Sequence, residues 1–301
     1  MLSLSIVITT YQCTRRSPGP AIFQRTLNSL DVAIQTFRRA YPQVKLDGVI
    51  VDDHSTDETV AIAQTWLSTL EVLSPWRLVV QPNNLGLSAS RNRGAKETKG
   101  DILCFCDDDD IYAPQHFQLI YGGFHKSLPL EAPFLPKVPG DRPAMVTMGI
   151  QFSDPIHSDW KQGLEATLIQ NRGIRRSLHE FIGGFPTDDC FRSGGEDLAY
   201  VRWAETFGRR HHIPVKTLEY CRYPGSHFDR QIEKFIKPFN LDKLSDELQK
   251  SPEALVLNQA RSEAYGRGDR QLREKFQKQW LDQLKTPKKT ISDSLKSINL
   301  T

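Results

Sequence analysis

Four consecutive aspartates, Asp107 to Asp110, close the short apolar run Ile102-Leu103-Cys104-Phe105-Cys106. Side chains along a strand alternate faces, and four carboxylates crowded into one small volume repel one another strongly. Such a run is tolerated when it is solvated, or when a divalent cation and its ligand supply the missing positive charge. Position favours the second case. A solvated acidic tract sits in a polar loop or tail, whereas this one ends a hydrophobic strand and continues into Ile111-Tyr112-Ala113-Pro114. In open α/β sheets, ligands bind at the carboxyl ends of strands. The run therefore reads as metal- or phosphate-linked, with an acidic turn as the alternative.

Two more acidic motifs stand where helices should begin: Asp52-Asp53-His54-Ser55, and Glu196-Asp197 after Gly194-Gly195. Acids at a helix start also serve simply to stabilise the helix macrodipole, so residue type alone leaves their role open. No histidines fall at zinc-site spacing. The five cysteines, Cys13, Cys104, Cys106, Cys190 and Cys221, include no C-x-x-C pair and read as small, reduced hydrophobes.

The elements that must position these groups alternate through the first half. Residues 4–9 form a buried strand, residues 21–40 a helix with Ile22, Leu27, Leu30, Ile34 and Phe37 at helical spacing. A strand over 48–51 delivers Asp52 and Asp53. Ser55-x-x-Glu58 then reads as a capping box opening the next helix. A third strand covers 77–80, a short basic helix 87–98 ends before Gly100, and a fourth strand over 101–106 delivers the aspartate run. Strands separated by helices imply parallel pairing and a sheet covered on both faces. No G-x-G-x-x-G follows the first strand, where Thr9-Thr10-Tyr11-Gln12 stands instead, so a dinucleotide-binding dehydrogenase is disfavoured. Residues 128–143 are proline-rich and irregular, and a strand follows over 145–152. Beyond about residue 240 the chain turns polar and helix-rich. There Leu272, Phe276, Trp280 and Leu284 recur every four residues among lysines and arginines, an amphipathic helix packed on its own domain or on a second subunit.

At 301 residues, 39% hydrophobic and 25% charged, the chain can build a sizeable core. A net charge of only +3 gives no case for a nucleic-acid partner. No stretch is long and apolar enough to span a bilayer, and no signal peptide is expected. The expectation is a cytoplasmic protein, with peripheral membrane contact through the basic helix as the other reading.

Taken in order, these motifs resemble the family 2 glycosyltransferases, which have the GT-A fold. The correspondence covers residues 3–226. It runs through Val51-Asp52-Asp53-His54-Ser55-Thr56-Asp57, then Asn84-Leu85-Gly86-Leu87-Ser88-Ala89-Ser90-Arg91-Asn92. It continues with Asp107-Asp108-Asp109-Asp110-Ile111-Tyr112-Ala113-Pro114, Gly183-Gly184-Phe185 and Gly194-Gly195-Glu196-Asp197. The resemblance implies an α/β, Rossmann-like, mostly parallel sheet flanked by helices over 1–240, with a helical C-terminal extension over 241–301.

The same resemblance implies residue roles. Thr10 and Tyr11 would flank the base, and Asp53 would accept a hydrogen bond from uracil. Arg91 would lie near the nucleotide, its alternative being a solvated helix arginine. Asp107-x-Asp109 matches the D-x-D motif, with Asp109 ligating Mn²⁺ or Mg²⁺ directly and Asp107 contacting the ribose or a water. Asp110 would support the sugar. Asp108 is counted with the nucleotide-sugar residues although it is expected to face away. Glu196-Asp197 matches the E-D motif, Asp197 as general base in an inverting displacement and Glu196 orienting the acceptor. His227 lies where a late metal-ligating histidine falls in related enzymes, a lone surface histidine being the other and preferred reading. Thr9-Thr10-Tyr11-Gln12 departs from the usual P-T-Y-N. The activity implied is sugar transfer from a nucleotide sugar, UDP-linked by preference, to a glycan, lipid or protein acceptor. A non-catalytic nucleotide-sugar binder and a sugar-phosphate nucleotidyltransferase are the alternatives. The latter would need a glycine-rich loop after the first strand, and the chain lacks one.

Overall fold

A computed structural model describes residues 1–16, 19–70, 75–126, 142–153, 158–192, 194–223, 226 and 252–285. Four strands lie parallel: β1 (Leu4–Thr10), β2 (Leu46–Asp52), β3 (Trp76–Val80) and β4 (Ile102–Asp107). They are joined by α1 (Pro20–Ala40), α2 (Thr59–Thr69) and α3 (Leu87–Glu97). After β4 come β5 (Ile111–Tyr112), α4 (His116–Gly123), β6 (Met145–Phe152), α5 (Ser158–Thr167) and β7 (Arg172–Arg175). Then follow α6 (Arg176–Ile182), α7 (Glu196–Phe207), β8 (Arg210–Tyr220) and a long helix, Pro252–Lys285. The sheet has the order β3-β2-β1-β4-β7-β6-β8-β5. Beyond β4 the pairing turns mixed: β7 is antiparallel to both neighbours, β8 runs parallel to β6, and β5 is antiparallel to β8.

The period of two along the strands divides the core. Leu4, Ile6 and Ile8 of β1, with Ile102, Cys104 and Cys106 of β4, face the layer built by α1, α2 and α4. Val7, Leu103 and Phe105 face the opposite layer, where α3, α6 and α7 contribute Ala95, Leu178, Tyr200 and Phe207. Both faces being covered explains why β1, β2 and β4 are nearly continuous apolar runs. All five cysteines are free thiols, Cys104 and Cys106 sharing one face as their spacing requires.

One expected local structure is replaced. The Ser55-x-x-Glu58 capping box does not form, and α2 opens at Thr59 with no side-chain cap from Glu58. The Ser55 hydroxyl is already engaged, accepting from the Gln12 backbone N–H at 2.9 Å, and Asp57 instead accepts from the Thr59 N–H at 3.1 Å. The proline-rich stretch over 128–143 falls largely outside the described residues, as does His227. Of the amphipathic positions on the long helix, Leu272 and Phe276 pack into the second core layer, against α6 and α7.

Candidate active site

β1 is the point where the chain's crossovers change direction, β2 and β3 lying to one side and β4 to the other. In open α/β sheets such a reversal, at the strands' carboxyl ends, is where ligands bind. Register sets Thr9 beside Asp107 and Thr10 beside Asp52, so Thr9-Thr10, Asp52-Asp53 and the aspartate run arrive at one rim. The loop after β1 is fastened to the loop after β2: the Cys13 N–H donates to Thr59 Oγ1 at 2.8 Å, and the Thr14 hydroxyl donates to Asp57 at 2.7 Å. Gln12 and His54, neither a glycine, hold left-handed backbone at φ 52° and 68°, one in each loop. Such conformations persist where surrounding contacts over-determine them.

The two aspartates after β2 have different work. Asp53 is buried, accepting from Gln81 Nε2 at 2.7 Å and from the Leu85 and Gly86 N–H groups at 2.8 Å each. Its carboxylate thus clasps the turn into α3, where Gly86 takes φ 90°. Asp52 accepts the Ser55 N–H at 2.8 Å, and its Oδ1 is buried without a partner; burial pushes its pKa up. Thr10 is buried against Cys13, whereas Tyr11 is 40% exposed at the rim.

Each aspartate of the run has a different partner. Asp107 accepts from Arg91 at 3.0 and 3.1 Å, from Thr9 Oγ1 at 3.3 Å and from Gln170 Nε2. Asp108 does not face away from the cluster. It is buried beneath Arg16, whose Nη1 and Nη2 donate to its two oxygens at 2.7 Å each, and it also accepts the Tyr11 N–H at 3.2 Å. The reason is the loop after β1, which folds across the run and brings Arg16 with it. Asp109, at 21% side-chain exposure, accepts from the Tyr223 hydroxyl at 2.7 Å and lies 3.5 Å from Arg16. Burial, with Asp108 and Asp107 adding to it, pushes Asp109 up to about 7 against the pull of Arg16. Asp110 accepts the Cys221 N–H at 3.2 Å, and its Oδ2 is buried and unpartnered. Burial and the neighbouring carboxylates raise its pKa well above the usual range.

Glu196 and Asp197 open α7 directly after Gly194 and Gly195, whose φ values of 106° and 89° only glycine adopts freely. Asp197 meets Arg91 Nη1 at 2.5 Å, and Glu196 lies 3.6 Å from the same nitrogen. Arg91 is fully buried, so it is no solvated helix arginine. Three carboxylates from two distant motifs hold its charge against burial. Its guanidinium sits 5.1 Å over the Phe185 ring, which stacks on Tyr200 at 3.9 Å. Asn92 fixes Phe185 by accepting its N–H at 2.8 Å and donating to its carbonyl at 2.9 Å. Gly183-Gly184-Phe185 and Arg91-Asn92 are therefore one physical unit. Burial, then Glu196 and Asp107, push Asp197 up to about 8, with Arg91 opposing.

Among the described residues, no three histidine, cysteine or acidic side chains close into a ready metal cage. The donor set nonetheless fits a hard divalent cation. Arg91 and Arg16 serve Asp107 and Asp108, while Asp109 rises to about 7 and Asp110 keeps an orphaned oxygen. Arg16, Gln170 and Tyr223 join the site without any sequence signal. Each reaches an aspartate more than fifty residues away, and no spacing rule marks it. Among the described residues, no helix is long and apolar enough to cross a membrane.

Residues 5–146 match glycosyl transferase family 2. An uncharacterized glycosyltransferase of Haemophilus influenzae is 31% identical over 37% of this chain and 31% of its own length. The Staphylococcus aureus poly(ribitol-phosphate) beta-N-acetylglucosaminyltransferase TarS is 26% identical over 36% of this chain and 17% of its own. The chain thus spans less than a third of either curated relative. Among solved structures, TarS 1–349 in complex with UDP-GlcNAc superposes with a TM-score of 0.56 at 17% identity, covering 75% of this chain and 60% of that one. The mannosyltransferase PcManGT from Pyrobaculum calidifontis, in complex with GDP-Man and Mn²⁺, gives 0.55 at 19% identity, covering 77% and 61%. At these identities the likeness establishes the fold, the GT-A arrangement expected from the motifs.

Proposed function

From the match of residues 5–146 to glycosyl transferase family 2, we propose that the chain is a metal-dependent, inverting glycosyltransferase using a nucleotide sugar, UDP-linked by preference. The observation that carries the reading is the convergence on Arg91. Asp107 of the aspartate run and Asp197 of the Glu196–Asp197 motif, ninety residues apart, meet one buried guanidinium at 3.0 and 2.5 Å. A donor-side carboxylate and an acceptor-side carboxylate are thereby held in fixed relation, as an in-line displacement requires.

In this reading Tyr11, at the exposed rim, and the loops fastened around Asp52 and Asp53 receive the nucleoside. Asp109 and Asp107 would hold Mn²⁺ or Mg²⁺, with His227 as a further candidate ligand, and Asp110 would support the sugar. The cation, when bound, supplies positive charge against the diphosphate leaving group. Asp197 takes the proton from the acceptor hydroxyl as its oxygen attacks the anomeric carbon opposite the diphosphate, and Glu196 orients that hydroxyl. Burial raises the Asp197 pKa, so its deprotonated form is a stronger base than an ordinary carboxylate. The acceptor is a glycan, lipid or protein hydroxyl.

A melting panel of nucleotides and nucleotide sugars, with Mn²⁺ and with chelator, tests the donor side. UDP with Mn²⁺ should raise the melting temperature well beyond UDP with chelator, and Asp109→Asn should erase the difference. Equal stabilisation under both conditions would sink the metal assignment. For the acceptor side, Asp197→Asn should lower turnover by about 10² to 10⁴ while leaving the UDP shift intact.

A further inference from the structure

The long helix Pro252–Lys285 lies beyond the segment matched to the family, yet it is built into the acidic motif of α7. Tyr265 stacks on Trp203 of α7, centroids 5.7 Å apart and rings 6° from parallel. Gly268 packs so closely on the Trp203 ring that a Cβ there would collide with it. Phe276 meets Phe207 at the far end of α7 at 5.9 Å, and Ala264 and Leu272 are buried in the same layer. Through Tyr265, Gly268 and Phe276 the helix thus packs against α7.

At the end of α7 that carries Glu196 and Asp197, the contact is polar. Arg261 Nε donates to the Cys190 carbonyl at 3.1 Å, in the 3₁₀ turn Asp189–Phe191 that leads into the glycine pair. The Arg261 side chain also lies against Gly195, where a Cβ would stand 3.3 Å from its Nε. Gly195 is the residue that caps α7, and it needs φ 89° to aim Glu196 and Asp197 at Arg91. Burial lowers the Arg261 pKa, and the neighbouring Glu196 carboxylate opposes that shift. One side chain therefore holds the turn before the cap, closes over the cap, and sets a positive charge near the first carboxylate.

We infer that Arg261 is a positioning residue for the Glu196–Asp197 pair, and that the long helix is a working part of the active site. The inference rests on the proposed function for the identity of that pair as acceptor-side carboxylates. Losing Arg261 frees the turn and the Gly195 cap, so the carboxylates lose their fixed relation to the donor side while the donor side itself is untouched. A displacement of about 1 Å at such a pair costs on the order of 10²-fold in rate.

The test uses the full chain with UDP-N-acetylglucosamine and, separately, GDP-mannose, each with Mn²⁺ and with water as acceptor, following nucleoside diphosphate release. Arg261→Ala should lower kcat by about 10²-fold at unchanged KM, and Arg261→Lys should recover much of it. Amide exchange should rise over residues 194–200 in Arg261→Ala and stay unchanged over 87–97. Arg273→Ala, which breaks an exposed pair with Asp269 on the same helix, should show neither effect. Unchanged exchange over 194–200, or a loss confined to KM, would overturn the inference. Should neither probe be turned over by the wild type, the exchange result decides alone. If Asp197→Asn is slow while Arg261→Ala matches wild type, only this inference falls. If Asp197→Asn turns over normally, the proposed base falls and Arg261's role falls with it.

Discussion

Two of the site's acidic motifs, the aspartate run and Glu196–Asp197, are held in opposite ways. Along Asp107 to Asp110, successive carboxylates answer to different partners: Arg91 with Gln170, Arg16, Tyr223, and the Cys221 N–H. At Glu196–Asp197, both carboxylates share one guanidinium, and that guanidinium also holds Asp107. Asp107 apart, the first arrangement is distributed, so altering Asp109 or Asp110 leaves the Arg91 pairing in place. The second is collective, because one buried cation is the shared partner of three acids.

The sharpest way to break this contrast is to remove each arginine in turn. Arg91→Gln leaves three carboxylates facing one another without their common counter-charge. Breaking a buried pair from one side costs about 3–5 kcal/mol. Denaturant unfolding should register that loss, or the variant should fail to accumulate folded. Arg16 is partly exposed, and Asp108 keeps its bond from the Tyr11 N–H. Arg16→Gln should therefore cost less, about 1–3 kcal/mol for a buried acceptor left under-satisfied. Equal losses for the two variants would show that the aspartate run is as collective as the α7 pair.

Acid should strain the collective side through His179. This ring packs among Phe105, Phe185 and Tyr200, its Nδ1 2.8 Å from the Tyr200 hydroxyl. Burial, reinforced by Arg176, lowers its pKa from 6.5 to about 4. The unfolded chain therefore binds a proton that the fold refuses between those values. Stability is full above about pH 6.5 and falls as the pH drops towards 4. The shift corresponds to at most about 3 kcal/mol. His116, lowered to about 3 by burial, adds a parallel slope on the other sheet face. His179→Gln should flatten the pH dependence of unfolding in that window but leave the His116 share. An unchanged slope would mean that His179 is protonated in the fold.

The same contrast separates what could be read in the chain from what could not. β1, β2 and β4 declare themselves because burial on both faces demands unbroken apolar runs, and their polar ends fall at one rim by register alone. β5, β7 and β8 do not. β5 and β7 are two and four residues long, and β8 has an outer half that is largely exposed, so no apolar periodicity marks them. The aspartate run and the Glu196–Asp197 pair were visible as motifs, but their joint partner was not. Arg91 stands between Ser90 and Asn92 on a polar helix, and its burial comes from Asp107, Phe185 and Asp197, all remote in sequence. Likewise, alternation sets Asp52 and Asp53 on opposite sides of the chain without saying which one receives the amides of Leu85 and Gly86. The capping box failed for a related reason: Ser55 serves a loop forty-three residues away.

The smallest expected effect compares neighbouring glycines beneath the collective motif. Gly183 and Gly184 both take φ 84°, a region where an L side chain is strained. Nothing stands within 4 Å of a Cβ built on Gly183, so Gly183→Ala meets backbone strain alone, about 1 kcal/mol. A Cβ on Gly184 would run into the Asn92 amide, the group that fixes Phe185 under Arg91. Gly184→Ala must therefore add displacement of that amide to the same strain, for a total of about 2–3 kcal/mol. The displacement should also travel: Phe185 loses its double hydrogen bond to Asn92, and the ring supporting the guanidinium shifts. Amide exchange at Phe185 and an unfolding titration of both variants check this. If the two alanines cost the same and Phe185 stays equally protected, the Asn92–Phe185 clasp does not support Arg91, and the collective motif is held by its charges alone.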